Sequence, residues 1–456
     1  MNDKRLQLME NAPINKAITT MAIPATAGML LSAIYNLADT AFVSKLGTSQ
    51  IGAVGIIFPL MMLISAVGMT FGMGAGSYIS RLLGAKDFDL ANRTASTAFF
   101  STVFISIVLL LIGFPLRADL VVLFGATDSI IGYANEYIVY ILLAMPFMMG
   151  VMVLNTMLRA EGSAKLSMIG MASGAILNII LDPIFIFVFK MGVPGAALAT
   201  AISQFVSFVI LITPYFKRKS VLHLKLKMFT FKLRIYGEIF KIGVPSFLRQ
   251  GLASLSFVLL NSAAGLYGGD SAIAALTIML RVMMFILMII FGIGQGFLPV
   301  AGYNYGARNY DRLLKGLYFT IKVCLVVALF GTFSFIFLGG FILNLFNVSQ
   351  EVVSIGIKAF RYTGYIMPAL GFAIPVNMLY QAMGRGIPAT LLSISRQGIF
   401  FIPVILILPN LIGLNGVLMA QPIADLCTLI FTALLSISLF KEINRKRNSS
   451  EATNDI

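Results

Sequence analysis

The chain has 456 residues, 59% hydrophobic and 11% charged, with a mean hydropathy of +0.93 and a formal net charge of +15. A water-soluble domain of this size cannot hide so much apolar surface, because average usage is already only about half apolar. The positive excess is no nucleic-acid footprint either, since the lysines and arginines collect between apolar runs rather than along a groove.

In chain order, residues 1–13 form a polar start, MNDKRLQLMENAP, with no apolar core and cleavage site of the kind a removable signal would carry. Twelve apolar runs follow, at 14–44, 51–82, 92–114, 133–158, 166–189, 192–216, 236–266, 272–302, 314–339, 356–382, 388–409 and 414–440. Each is long enough to cross a bilayer as a helix, and the short alternating segments of a membrane β-barrel are missing. The fold class is therefore an all-α integral membrane protein. The fifth run is the odd one. Its "LNIILDPIFIF" places Asn178 and Asp182 four apart, on one helix face, with Pro183 directly after.

Between the sixth and seventh runs lies a basic connector, 217–235, that includes "KRKSVLHLKLKMFTFKLR" and is expected to lie against anionic headgroups on the cytoplasmic side. His223, the only histidine, falls there, which excludes a histidine metal site or proton relay in the membrane. Cys324 and Cys427 sit in apolar runs and read as packing residues. An even number of spans puts both termini on one side. With that side cytoplasmic, the inner loops hold Arg81, Lys86, Arg93, Arg159, Lys165, the 217–241 cluster, Arg308, Arg312, Lys315 and Arg385, and the tail 441–456 adds four more cations. The outer loops and span ends offer little beyond Lys45, Arg117, Lys190, Lys358 and Arg361. This bias orients a multi-pass protein of the plasma membrane with both termini inside.

The chain also repeats itself. "FGMGAG" at 71–76 returns as "FGIGQG" at 291–296, "GAKDFD" at 84–89 as "GARNYD" at 306–311, and "NTMLRAEG" at 155–162 as "NMLYQAMG" at 377–384; Pro24 matches Pro245 and Pro146 matches Pro368. The offset stays at 220–222 residues. The two units, 14–216 and 236–440, each carry six spans, so they insert in the same sense and are related by a pseudo-twofold axis along the membrane normal. The glycines of the first pair are read as close-approach positions between helices, not a phosphate loop, since no strand precedes them.

Together these features give a family resemblance. Twelve spans in two halves, Pro24 with Tyr35, Asn36 and Asp39 in the first span, "LRAEG" after the fourth and "NIILDP" in the fifth resemble the multidrug and toxic compound extrusion (MATE) transporters over nearly the whole chain. The resemblance implies export of amphipathic, often cationic compounds, driven by inward sodium or proton movement, with no other cofactor. By position it implies a cation site of Asp39, Asn178, Asp182 and Thr200, with Tyr35 and Asn36 beside it and a bend of the first span at Pro24 when the carboxylates protonate. One departure matters: other members place functional acids in the seventh, eighth or tenth spans, and this sequence has none there.

The repeat supplies an internal control. The position equivalent to Asp39 is Leu260, and Asn178 and Asp182 map to Phe400 and Val404. A six-helix half therefore forms without these polar groups. Counting from Lys45, Lys190 and Gly192, the residues Asp39, Asp182 and Thr200 all lie roughly 9–12 Å below the outer surface. Carboxylate, amide and hydroxyl oxygens are hard ligands suited to sodium, and Pro183 frees the carbonyl of Ile179 to add another. Without a metal, two close carboxylates resist joint ionisation and hold a proton between them. A charge at the bilayer centre costs about 2.5–3.5 kcal/mol on insertion scales, so two are not kept idly.

In the second half Arg249, Arg281, Arg396 and Asp425 fall within spans. Arg249 and Arg396 are expected to snorkel or to pair with Asp425. Arg249, Arg281, Asn155 and Met283 are candidate walls of a substrate cavity. A flippase for a lipid-linked or anionic substrate is the alternative these arginines keep open. An integral membrane enzyme is weakest, because no clustered catalytic set occurs. A single chain acting as a monomer, with small-molecule substrates and the bilayer as partners, is the expectation.

Overall fold

The computed structural model describes residues 2–454, with side chains over 5–448. Among the described residues there is no strand; the helices are α1 (Asn2–Glu10), α2 (Ile14–Val43), α3 (Thr48–Gly84), α4 (Phe88–Gly113), α5 (Arg117–Leu123), α6 (Ile131–Ala160), α7 (Ala164–Pro183), α8 (Val193–Phe216), α9 (Leu233–Gly306), α10 (Tyr310–Asn344), α11 (Gln350–Ala382), α12 (Gly386–Ile394), α13 (Phe401–Ile412) and α14 (Leu414–Asn454). Helices and membrane spans do not correspond one to one. α9 turns back at Gly269, whose φ of 61° and ψ of −160° suit a residue without a Cβ, so it supplies two spans. α12 and α13 are joined by a π-helical turn, Ser395–Ile399, into one. With α7 and its own π turn (Ile184–Val188) as the fifth, twelve membrane helices result.

The internal repeat is written into the turns. Asp87 caps α4 by accepting from the Leu90 amide at 3.1 Å, and Asn309 caps α10 by accepting from the Arg312 amide at 3.2 Å. The residue before each, Lys86 and Arg308, is left-handed with φ of 59° and 58°. Gly162 and Gly384, at the ends of the "LRAEG" and "YQAMG" segments, both have positive φ (84° and 72°) and close the preceding helices as a Cβ-bearing residue would do only under strain.

Two compact units divide the chain. One comprises the N-terminal residues to Asn11 and Ile23–Gly243; the other comprises Ala12–Ala22 and the chain from Val244 onward. Each unit thus includes the start of a helix whose remainder belongs to the other, and the glycine repeats explain why that start fits. In the first unit, a Cβ on Gly74 would lie 2.0 Å from the Ile239 carbonyl oxygen, so α9 begins in backbone contact with α3. In the second, a Cβ on Gly296 would lie 2.4 Å from the Ala22 backbone nitrogen.

Most of the connector is fixed within the first unit. Glu161, fully buried, accepts from Ser163 (2.7 Å), from the Val221 and Leu222 amides (2.9 and 3.2 Å), from Arg5 (3.4 Å) and from the Ser220 hydroxyl. These bonds tie α1, the turn after α6 and residues 220–222 together. Both cysteines are free, and Cys324 is buried.

Candidate functional site

α7 and α8 build the site from a stripe of residues four apart. Gly170, Gly174, Asn178 and Asp182 share one face of α7. The glycines let α8 approach closely: the Ser207 hydroxyl donates to the Gly170 carbonyl at 2.9 Å, and a Cβ on Gly174 would meet the Ser203 carbonyl oxygen at 3.0 Å. Two turns further along, the same seam turns polar. Asn178 Nδ2 donates to Asp182 Oδ1 at 3.2 Å and to Thr200 Oγ1 of α8 at 3.4 Å. Asn178, Asp182 and Thr200 are 2%, 0% and 4% exposed.

The fourth residue arrives from α2. The Asp39 carboxyl lies close to that of Asp182. Two ionised carboxylates are acceptors only, so a direct contact between them requires a proton or a cation. Three oxygens here, Asp39 Oδ1, Asn178 Oδ1 and Asp182 Oδ2, are buried without a hydrogen-bond partner. Buried acceptors are nearly always satisfied, and orphan oxygens converging on one level are what a hard cation or a proton would fill. Among the described residues no cluster of three His, Cys, Asp or Glu occurs. The donor set of two carboxylates, an amide and a hydroxyl suits a monovalent hard ion rather than a transition metal.

The neighbours divide clearly. Tyr35, one turn before Asp39 on α2, stands near both aspartates. Asn36 does not join: it is exposed, and its amide donates to the Ser32 carbonyl of its own helix at 2.7 Å. Being one residue from Tyr35, it points some 100° away around the helix. Pro24 lies inside α2, just past the point where that helix passes from one unit to the other, and is far along the helix from the carboxylates. Two further buried residues stand near the candidate site without any motif to mark them. Tyr137, 1% exposed, lies in the neighbourhood of Asp39, Tyr35 and Asp182. It lies six residues into α6, at the depth shared by the others, so the depth argument could have found it. Ser203, nearly one turn after Thr200, is buried with its hydroxyl unpartnered.

The four candidate cavity residues have different surroundings within their own units. Asn155 is buried in a local network with Ser167, Arg159 and the Met171 sulfur. Met283 is packed into the second unit at 3% exposure, so it offers no accessible wall. Arg281 is exposed, whereas Arg249 stacks over the Phe291 ring at 5.3 Å. Arg396, not Arg249, pairs with Asp425, through Nε at 2.7 Å and Nη2 at 3.3 Å.

Comparison with known proteins places this architecture. The MatE family model matches residues 24–184 and again 245–407, one match in each half. The chain belongs to the MATE family. Among MATE relatives, the multidrug export protein MepA of Staphylococcus aureus (strain MSSA476) is 34% identical over 448 residues, covering 97% of both chains. A multidrug resistance MATE transporter solved in an outward-facing conformation superposes with a TM-score of 0.91 at 29% identity, over 97% of this chain and 99% of that one. A transporter from Pyrococcus furiosus, described as having a binding pocket of reversed polarity that suggests a different function, gives 0.90 at 29% identity, again over 97% and 99%. This chain is thus a multi-pass MATE transporter of the multidrug export type and not an enzyme.

Proposed function

We propose that this transporter is an antiporter, exporting amphipathic, cationic compounds against the inward movement of a proton or sodium ion through Asp39, Asn178, Asp182 and Thr200. The observation that carries the reading is the set of buried, unpartnered oxygens of Asp39, Asn178 and Asp182, beside the Asn178 bonds to Asp182 and Thr200, a donor set that a proton or a hard cation would satisfy. Asp182 and Asn178 would hold the ion against Thr200. Asp39, on a different helix, would join or leave the cluster as α2 moves, and this is how occupancy of the site couples to conformation. Two carboxylates sharing one proton carry about one negative charge, and one further cation neutralises them, which a site closing against hydrocarbon favours. Proton and sodium therefore compete, and proton coupling is favoured because Asn178 and Thr200 give few neutral oxygens for a dehydrated sodium ion. The setting is the plasma membrane with both termini cytoplasmic, and the monomer carries the whole pathway.

The test is efflux from vesicles holding the purified protein, with a proton gradient or a sodium gradient imposed alone. The reading expects either gradient to drive efflux of a cationic dye in the wild type and neither to do so in Asp182→Asn. Efflux at full rate with no gradient would end it. A second reading, transport of anionic or lipid-linked compounds, draws on Arg249, which among the described residues has no carboxylate partner, and on the reversed pocket polarity described for the Pyrococcus furiosus relative. Competition of dye export by an amphipathic anion would favour it.

A further inference from the structure

The connector between α8 and α9 contains seven Lys and Arg residues and no acid over 217–234. Several other basic residues of the same unit do have carboxylates: Arg81 and Lys241 share Glu238, Lys86 reaches Glu10 and Arg93 reaches Asp89. Among the described residues none of the connector's seven forms an ion pair with a carboxylate. Interleaved with them are large apolar side chains left in the open, Leu226 at 70%, Phe231 at 79% and Leu233 at 86% exposed. A chain with so much apolar core elsewhere could have hidden three more such residues. Exposed apolar side chains set between unpaired cations are what an interfacial membrane segment presents.

The segment is also held at the right level. His223 N–H donates to Asn92 Oδ1 at 2.7 Å, Lys225 N–H to Ser96 Oγ at 3.2 Å, and Thr230 N–H to Thr97 Oγ1 at 3.3 Å. Asn92, Ser96 and Thr97 belong to the polar opening of α4, which carries no charge after Arg93 and exposes large apolar side chains further along, at Phe104, Ile107, Leu111 and Ile112. The connector backbone is thus pinned to the polar end of α4, beside the exposed apolar side chains of that helix. Three of its backbone N–H groups are satisfied by α4, leaving its exposed side chains to whatever lies outside.

We propose that residues 225–234 form a fixed docking surface for anionic phospholipid, with Leu226, Phe231 and Leu233 entering the acyl boundary and Lys225, Lys227, Lys232 and Arg234 binding headgroup phosphates. Charge complementarity and continuity with the apolar belt of α4 select this occupant. Because the pinning bonds come from backbone groups, lipid binding follows from the side chains alone and can be removed without loosening the fold.

The chain has no tryptophan, so one introduced residue reports without background. Phe231→Trp and, separately, Leu226→Trp are placed in nanodiscs of phosphatidylcholine with a fixed fraction of either brominated phosphatidylglycerol or brominated phosphatidylcholine. The surface predicts blue-shifted emission, with quenching by the brominated anionic lipid about threefold or more stronger than by the neutral one. That excess should vanish when Lys225, Lys227 and Lys232 are all changed to Gln, and shrink at high salt. Water-like emission unquenched by either lipid at both positions would overturn the proposal. So would equal quenching by the two lipids in the unaltered lysine background.

Discussion

Arg396 and Asp425 offer the sharpest test of how this bilayer protein handles intramembrane charge. The Asp425 side chain is fully buried and accepts from Arg396 Nε at 2.7 Å, Arg396 Nη2 at 3.3 Å and Gln421 Nε2 at 2.8 Å. Changing Arg396 to Met removes two of those three donors and the countercharge together. A buried ion left without its partner costs about 3–5 kcal/mol. Asp425→Leu should cost less, about 1–2 kcal/mol, because the Arg396 side chain is 18% exposed and its long stem can carry the guanidinium towards water. The double variant Arg396→Met/Asp425→Leu has no stranded charge and should lie near the wild type, leaving a coupling of about 3 kcal/mol or more. Unfolding in mixed detergent micelles for all four proteins closes the cycle, and dye export by the double variant shows whether the pair has any role in transport. If Arg396→Met alone were as stable as the wild type, or the double variant lost the sum of the singles, the pair would not be the structural lock inferred here.

Further outcomes follow from the site and its supports. Asp39→Asn and Asp182→Asn should each abolish export with normal membrane expression, while Leu260→Ala and Val404→Ala, at the equivalent places in the other half, change stability alone; drug-resistance assays separate the two groups, and uncoupling by either alanine variant would defeat the argument from the repeat. Gly174→Ala pushes α8 away from α7 and should cost about 1–3 kcal/mol, and it should weaken ion binding although it touches no ligand; unchanged binding would show that the seam does not set the distance between Asn178 and Thr200. Glu161→Ala strands the Val221 and Leu222 amides and two hydroxyls, a loss of about 3 kcal/mol, and should speed tryptic cleavage at 217–219 more than elsewhere.

The twelve spans were legible because the bilayer leaves a crossing chain no alternative to long apolar helices. Their ends were less so. α3 begins at Thr48 and α9 at Leu233, three residues before the apolar runs do, since a helix need not start where its uncharged run starts. α1 carries no apolar stripe and shows in the sequence only as polar chain; a tertiary bond, Arg5 to the Lys219 carbonyl at 2.8 Å, helps to fix it. The repeat was legible as letters, and the structure reads it as matched caps and left-handed turns. For the site, the residue types and the shared depth pointed to Asp39, Asp182 and Thr200, and the same depth count would have reached Tyr137. Asn36 stands apart because adjacency in sequence is not adjacency around a helix. The ordering of the connector was invisible, since it depends on Asn92, Ser96 and Thr97 of α4, more than a hundred residues away.

The central claim is that Asp39 and Asp182 form one cation site that protons and sodium contest. Sodium binding to the purified protein, measured across pH for the wild type and for Asp182→Asn, tests it most directly. Protonation of the shared pair must expel sodium, so wild-type affinity should fall as pH drops through the titration of the pair, and Asp182→Asn should bind little sodium at any pH. Sodium binding that ignores pH, or that survives the substitution, would contradict the account.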